Sequence, residues 1–301
     1  MNAAFGEPLG SPQAWPAPAK LNLCLHIVGR RDDGYHLLQT AMQFIDLCDE
    51  LQFYRRPAGV IERVAGNADI PAEDDLVIRA ARLLASHAAI QHGVAIALTK
   101  RIPIQGGLGG GSSDAATVLV ALNRLWGVGL DEDALAQIGL QLGADVPFFV
   151  RGHAAWAEGV GERLTPVDYP ESGYLVVKPD AAVSTAAIFQ APELTRNSPI
   201  TTIRAFLAGQ AFNSCTETVR SRYPAVSQAL DWLQQFGEAR LTGTGACVFL
   251  AVADEAAAQR LLAQLDARWQ GFAVRGRNES PLLRRLVVEP QRAERDMTDQ
   301  V

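Results

Sequence analysis

Five glycines fall within six positions in the stretch "PIQGGLGGGSSDAATVL": Gly106, Gly107, Gly109, Gly110 and Gly111. Glycine costs backbone order, so such a cluster marks a place where the chain bends sharply or lets something approach closely. From Ser112 to Trp126 there is no further glycine or proline, and Ala115, Val118, Leu119, Leu122 and Leu125 share one helical face. The loop therefore opens a helix, with Ser112, Ser113 and Asp114 at the cap. Free N–H groups and the positive dipole end would face an anion there. Other glycine-rich loops do not match. A P-loop needs a lysine after its last glycine, and Ser112 stands there. A dinucleotide fingerprint needs a third glycine where this chain again has Ser112. Protein-kinase markers are absent. A packing turn is the plain alternative, and the density of glycine between a strand and a helix favours phosphate.

Four other places carry groups that could react or bind. Asp145, in "LGADVPFF", is either a turn aspartate or an acid–base group. Lys20, at the head of "KLNLCLHIV", is either a solvated strand-end charge or the cation that keeps such a carboxylate ionised. "DGYHLLQT" offers Tyr35 and His36, either a core tyrosine beside a surface histidine or a stacking ring beside an edge-bonding one. Gly243 and Gly245 in "LTGTGACVF" read first as a hairpin turn and second as a phosphate contact. The five histidines show no zinc-type spacing.

These groups need positioning elements. "KLNLCLHIV" alternates as a half-buried strand, and "LLQTAMQFIDLCDELQFYRR" continues as strand. "DDLVIRAARLLASHAA" predicts a helix capped by aspartate, and "GVAIALTKRIP" another strand. After the glycine helix, "DEDALAQIGLQL" predicts a further helix ending at Gly143, and "FFVRGHAAWAEGVGERLTPV" strand-like pieces. Beyond it, "GYLVVKPD" reads as strand, "SQALDWLQQFG" as helix, "ARLTGTGACVFLAVA" as strand–turn–strand, "DEAAAQRLLAQLDARW" as helix and "RRLVVEP" as a last strand. The alternation predicts two α+β domains, 1–170 and 171–290, with a polar tail at 291–301, and the opening composition an ordered-late or flexible lead-in.

Composition narrows the classes. The 301 residues carry 33 acidic and 27 basic side chains, a net charge of -6, which argues against a nucleic-acid partner. No apolar run reaches the roughly 20 residues of a membrane span, and the opening lacks a basic start and apolar core. Cys24, Cys48, Cys215 and Cys247 read as free thiols in a reducing compartment, so a cytoplasmic location is expected.

The chain resembles the GHMP kinases, the superfamily of galactokinase, homoserine kinase and mevalonate kinase. "PAKLNLCLHIVGRRDDGYHLLQT", "PIQGGLGGGSSDAAT" and "LGADVPFFVRGHAAWAEGVGE" carry the resemblance, with "LTGTGACVF" as a weaker fourth stretch. It implies a two-domain fold, an N-terminal domain like ribosomal protein S5 domain 2 and a ferredoxin-like C-terminal domain. It also implies an enzyme that phosphorylates an alcohol with ATP and Mg²⁺. Pro103, Ile104, Gln105, Gly106, Gly107, Leu108, Gly109, Gly110, Gly111, Ser112 and Ser113 would hold the ATP phosphates, with Lys100 near the base. Asp145 would be the catalytic base and Lys20 its neighbour, while no residue is assigned to the metal. The Asp-Gly-Tyr-His and Gly-Ala-Asp-Val-Pro runs point to the branch acting on a cytidyl-linked sugar alcohol, in non-mevalonate isoprenoid precursor synthesis. Asn22, Tyr35 and His36 would line the cytidyl side, Phe189 of "VSTAAIF" would face Tyr35 across the cytosine, and Thr185 would touch the substrate. The resemblance implies a monomer or weak homodimer with no nucleic-acid or membrane partner. Asp75 stands where the family often shows asparagine.

Overall fold

The alternation that begins at Lys20 belongs to a longer strand. β1 runs Trp15–Arg30 and pairs antiparallel with β2, His36–Arg56, along nearly its whole length. This structure is a computed structural model, and it describes residues 5–66, 70–210 and 212–289. The expected tail at 291–301 and the first four residues of the lead-in lie outside the described residues. The rest of the lead-in is ordered rather than flexible. Leu9 is buried, its N–H donates to the Phe53 carbonyl at 2.8 Å, and Pro8 pairs with Tyr54. Apolar Leu9 and Trp15 fix this segment, which its glycine and proline content concealed.

In chain order there follow β3 (Ile61–Ala65), α1 (Leu76–His87), β4 (Gly93–Thr99), α2 (Gly110–Leu125), α3 (Glu132–Leu140), α4 (Val146–Arg151), β5 (Ala155–Gly159) and β6 (Arg163–Pro166). The second half holds β7 (Gly173–Lys178), α5 (Thr185–Phe189), α6 (Ile203–Leu207), α7 (Thr216–Arg222), α8 (Pro224–Gln234), β8 (Ala239–Leu241), β9 (Val248–Val252), α9 (Glu255–Leu262), β10 (Gln270–Arg277) and α10 (Pro281–Val288). One sheet joins both halves in the order β3-β4-β2-β10-β7-β9-β8, with β1 and β5 also on β2, and β6 on β5. The order β10-β7-β9-β8, with helices between β7 and β8 and between β9 and β10, is the ferredoxin-like arrangement expected of the second half.

Two expectations are corrected. "FFVR" is helical, in α4, because Pro147 suits a helix start and both phenylalanines are buried; Phe148 stacks on Phe44 at 4.4 Å. "RRLVVEP" is also helical, in α10, where Ser280 caps the chain and Pro281 occupies the first turn. The last strand is β10, one segment earlier. α10 returns to the first half: Leu282 joins the core of α1, α2 and β1, and the Arg285 guanidinium stacks 4.4 Å over Trp15. Two large cores result, one around α2 on the first half of the sheet and one beneath α8 on the second. A third cluster of buried residues, from Ala19 and Leu21 to Cys247 and Phe249, welds them together.

Candidate active site

Most helices here are capped by a side chain that accepts a backbone N–H: Asp75 for α1, Asp131 for α3, Ser184 for α5, Thr202 for α6, Asp254 for α9 and Ser280 for α10. α2 differs. Its N-cap is Gly109, which has no side chain to offer, so the first-turn N–H groups are left for a ligand. The expected cap residues sit further in: Ser112 is in the first turn, Ser113 is fully buried, and Asp114 points to Lys100.

The loop before α2 is held from behind. Gly107 and Gly109 adopt φ of +74° and +73°; a Cβ on Gly107 would come within 2.3 Å of the Thr242 carbonyl, and one on Gly109 within 2.7 Å of Phe149 Cζ. These two glycines are therefore demanded by the fold itself. The β8–β9 turn supplies that support. The N–H groups of Ala246 and Cys247 donate to the carbonyls of Gln105 and Gly106, and Thr242 Oγ1 donates to that of Gly107. "LTGTGACVF" is thus a turn and a brace for the loop together.

Lys20 is not a strand-end charge. It is buried in mid-strand, where β1 passes under the loop. Its Nζ donates to Asn22 Oδ1 at 2.5 Å and to the Gly107 carbonyl at 3.0 Å, and lies 3.6 Å from Asp145 Oδ2. Asn22 is fixed in turn, since its Nδ2 donates to Thr40 Oγ1, which donates to the Cys24 carbonyl. The chain of bonds leaves the ammonium one direction to face, toward Asp145. That side chain is 37% exposed at the start of α4 and open to the cleft. A carboxylate held beside a buried cation, and still reachable, is suited to accept a proton.

The cleft encloses about 610 Å³. Of the expected residues, Lys20, Asn22, Lys100, Pro103 to Ser112, Asp145, Thr185 and Phe189 line it. Ser113, Tyr35 and His36 are not on its wall. Tyr35 is 63% exposed on the turn after β1, whereas His36 is buried, the reverse of the plain alternative. The His36 ring stacks on Phe189 with centroids 4.9 Å apart and planes within 19°, and its Nε2 accepts from Arg196 Nε at 3.2 Å. Burial, then the Arg196 and Arg30 cations, pushes its pKa below the usual histidine range. The two expected aromatic walls, Tyr35 and Phe189, do not stand face to face in this state. Thr185 Oγ1 lies 2.9 Å from Thr244 Oγ1, another cleft residue.

Sequence reading missed the surroundings of Lys100. Its ammonium bridges Asp49 and Asp114, and Asp49 also accepts the N–H groups of Arg101 and Ile102. A lone aspartate inside an apolar helix was the signal available for Asp114. Asp75, also on the cleft wall, caps α1 through Val77 N–H and pairs with Arg63 at 2.7 Å. The partner cation accounts for a carboxylate at this position.

Burial pushes the Asp114 carboxyl up to about 7, with Lys100 opposing the rise and Asp49 adding to it. An unfolded aspartate titrates near 4. Between those values the folded protein holds a proton that the unfolded chain has lost, so stability from this group falls as pH rises through the window. Asp114→Asn removes the titration. Its melting temperature relative to the unmodified protein should climb between about pH 4 and 7, and a constant difference would show that Asp114 is ionised throughout.

Known proteins resemble this chain over most of its length. The GHMP kinases N terminal domain model matches residues 75–153, and the GHMP kinases C terminal model residues 192–271. A 4-diphosphocytidyl-2-C-methyl-D-erythritol kinase of Alkalilimnicola ehrlichii is 56% identical over 282 residues, covering 94% of this chain and 97% of its own. One of Nitrosococcus oceani is 55% identical, covering 89% and 96%. A crystal structure of 4-(cytidine 5'-diphospho)-2C-methyl-D-erythritol kinase superposes with a TM-score of 0.78 at 33% identity, covering 88% of this chain and 99% of that one. The chain is a small-molecule kinase of the GHMP superfamily and belongs to its family of 4-diphosphocytidyl-2-C-methyl-D-erythritol kinases.

Proposed function

We propose that the protein transfers the γ-phosphoryl group of ATP to the 2-hydroxyl of 4-diphosphocytidyl-2-C-methyl-D-erythritol. The observation that carries the reading is the placing of Lys20 and Asp145 beside the uncapped start of α2, in a cleft whose far wall is Phe189. Phosphoryl transfer passes through a loose transition state, so positioning and charge stabilisation do most of the catalysis. The first-turn N–H groups of α2 bind the triphosphate. Lys20, anchored by Asn22 and Gly107 and 3.6 Å from Asp145 Oδ2, orients that carboxylate and balances charge on the moving phosphoryl oxygens. Asp145 orients the hydroxyl and takes its proton.

Mg²⁺ would enter with the ATP phosphates and neutralise their charge. No group of three His, Cys, Asp or Glu suited to a metal occurs among the described residues, which fits an ion carried mainly by phosphate and water. Ser112, on the cleft wall in the first turn of α2, is one oxygen donor that could hold it. The four unpaired thiols support our placing the enzyme in the cytoplasm, and the net charge of -6 our giving it no nucleic-acid partner; the monomer or weak homodimer rests on the resemblance alone. We divide the chain at about residue 170, between β6 and β7, into an N-terminal ATP-binding domain and a C-terminal domain.

The test is ATP turnover with the cytidyl alcohol, mevalonate and homoserine offered separately. Turnover with the cytidyl alcohol alone is expected, and turnover with either of the others in its place would overturn the reading.

The phosphate cradle has its own test at Gly111. Its backbone is ordinary helix, and a Cβ would come no closer than 3.4 Å to Leu76 Cδ1, so the fold does not demand glycine. Gly111→Val should keep its melting temperature yet raise KM for ATP roughly tenfold or more, because the branched side chain stands where phosphate must approach. An unchanged KM would make the loop a packing turn.

A further inference from the structure

We propose that Arg196 is a positioning residue for substrate selection: it fixes His36 as the neutral tautomer with its proton on Nδ1, and so makes the ring a dedicated hydrogen-bond donor. A guanidinium has only donors and does not lose its proton in proteins. Since Arg196 Nε donates to His36 Nε2 at 3.2 Å, that nitrogen presents its lone pair, and the proton of a neutral ring resides on Nδ1. Nδ1 has no partner among the described residues.

Arg196 is itself immobilised. Its Nη1 donates to the Leu194 carbonyl at 3.1 Å, and its Nη2 to the carbonyls of Phe189 and Ala191 at 3.0 and 2.6 Å. One guanidinium therefore ties the His36 ring to the end of α5, which carries Phe189. The charged groups that act on His36 are Arg196 and, from the end of β1, Arg30, and both oppose a third positive charge. On the turn before His36, the Asp33 carboxylate is engaged with Arg31 and with the Tyr35 N–H.

The ring planes say what such a donor can read. A base that accepts from Nδ1 and lies coplanar with His36 is also parallel to Phe189, whose plane is within 19° of it, so the bond and the stack can be made together. The 4.9 Å centroid separation is an offset stack, which leaves part of the Phe189 face for the base. Cytosine offers an acceptor at N3, whereas uracil offers an N–H there and leaves the imidazole donor unpaired. The exposed Tyr35 ring is free to fold over the other face.

The selectivity depends on the cytidyl reading above, but the tautomer is a property of the ligand-free protein and is measured separately. Nitrogen-15 spectra of the His36 ring should show Nε2 unprotonated and Nδ1 protonated at about pH 7.5, and imidazolium forming only at lower pH than in free histidine. Arg196→Met should give mixed tautomers and a titration moved to higher pH. Its preference, by kcat/KM, for the cytidyl substrate over the uridyl analogue should fall roughly tenfold, the worth of one hydrogen bond. KM for ATP should stay within about twofold, and Arg196→Lys should recover part of the preference. Protonated Nε2 in the unmodified protein overturns the role of Arg196 whatever the substrate and whether or not the variant folds. Equal losses for cytidyl, uridyl and ATP ligands also overturn it. A wild-type enzyme with the stated tautomer but no cytidyl preference overturns the substrate reading instead.

Discussion

Asp145→Asn should lower kcat at least ~10²-fold while KM for ATP stays nearly unchanged, since loss of a general base costs about 10²–10⁴ in rate. The amide keeps the shape of the side chain and its place at the start of α4 but cannot take a proton. ATP contacts come from the first turn of α2 and the loop before it, which the substitution does not touch. Lys20 would lose the charge 3.6 Å away yet keep Asn22 and the Gly107 carbonyl, so the buried ammonium is not stranded. A modest fall in melting temperature is therefore expected. Steady-state turnover of the purified variant decides the matter: if more than about a tenth of the kcat remains, Asp145 is not the base.

Phe189→Ala should raise KM for the cytidyl substrate roughly ten- to a hundredfold, because stacking a base on an aromatic ring is worth about 1–3 kcal/mol. The ring does two things here. It presents a face to the cleft, and it backs the His36 imidazole, so truncation removes the platform and loosens the edge donor together. The nucleotide end is built from other residues and should be indifferent. Titrations with the cytidyl substrate and with an ATP analogue separate the possibilities. Equal weakening of both would report a damaged fold, and unchanged cytidyl affinity would remove Phe189 from the substrate site. Tyr35→Ala is the weaker of the pair, as its exposed ring makes a contact only once it has folded over the base.

The sequence by itself determined what neighbouring residues settle among themselves. Alternation in "KLNLCLHIV" specified a strand because successive side chains must point to opposite faces, and Asp75 specified the start of α1 because its carboxylate reaches Val77 N–H. The glycine loop was legible as an opening for an anion because unsatisfied N–H groups at a helix start are a local fact. Short apolar runs were not legible: "FFVR" and "RRLVV" fit either period; burial of both phenylalanines made the first helical, and the Ser280 cap with Pro281 in the first turn made the second so. Tertiary structure alone decided the chemistry of the polar residues, whose alternatives differ only in what stands opposite. Lys20 became a buried partner of Asp145 because β1 passes under a loop braced from β8–β9, and His36 became a one-sided donor because Arg196 reaches it from 160 positions away. A side chain's charge and proton depend on dielectric and on neighbours within a few ångströms, and those neighbours are brought by the path of the whole chain.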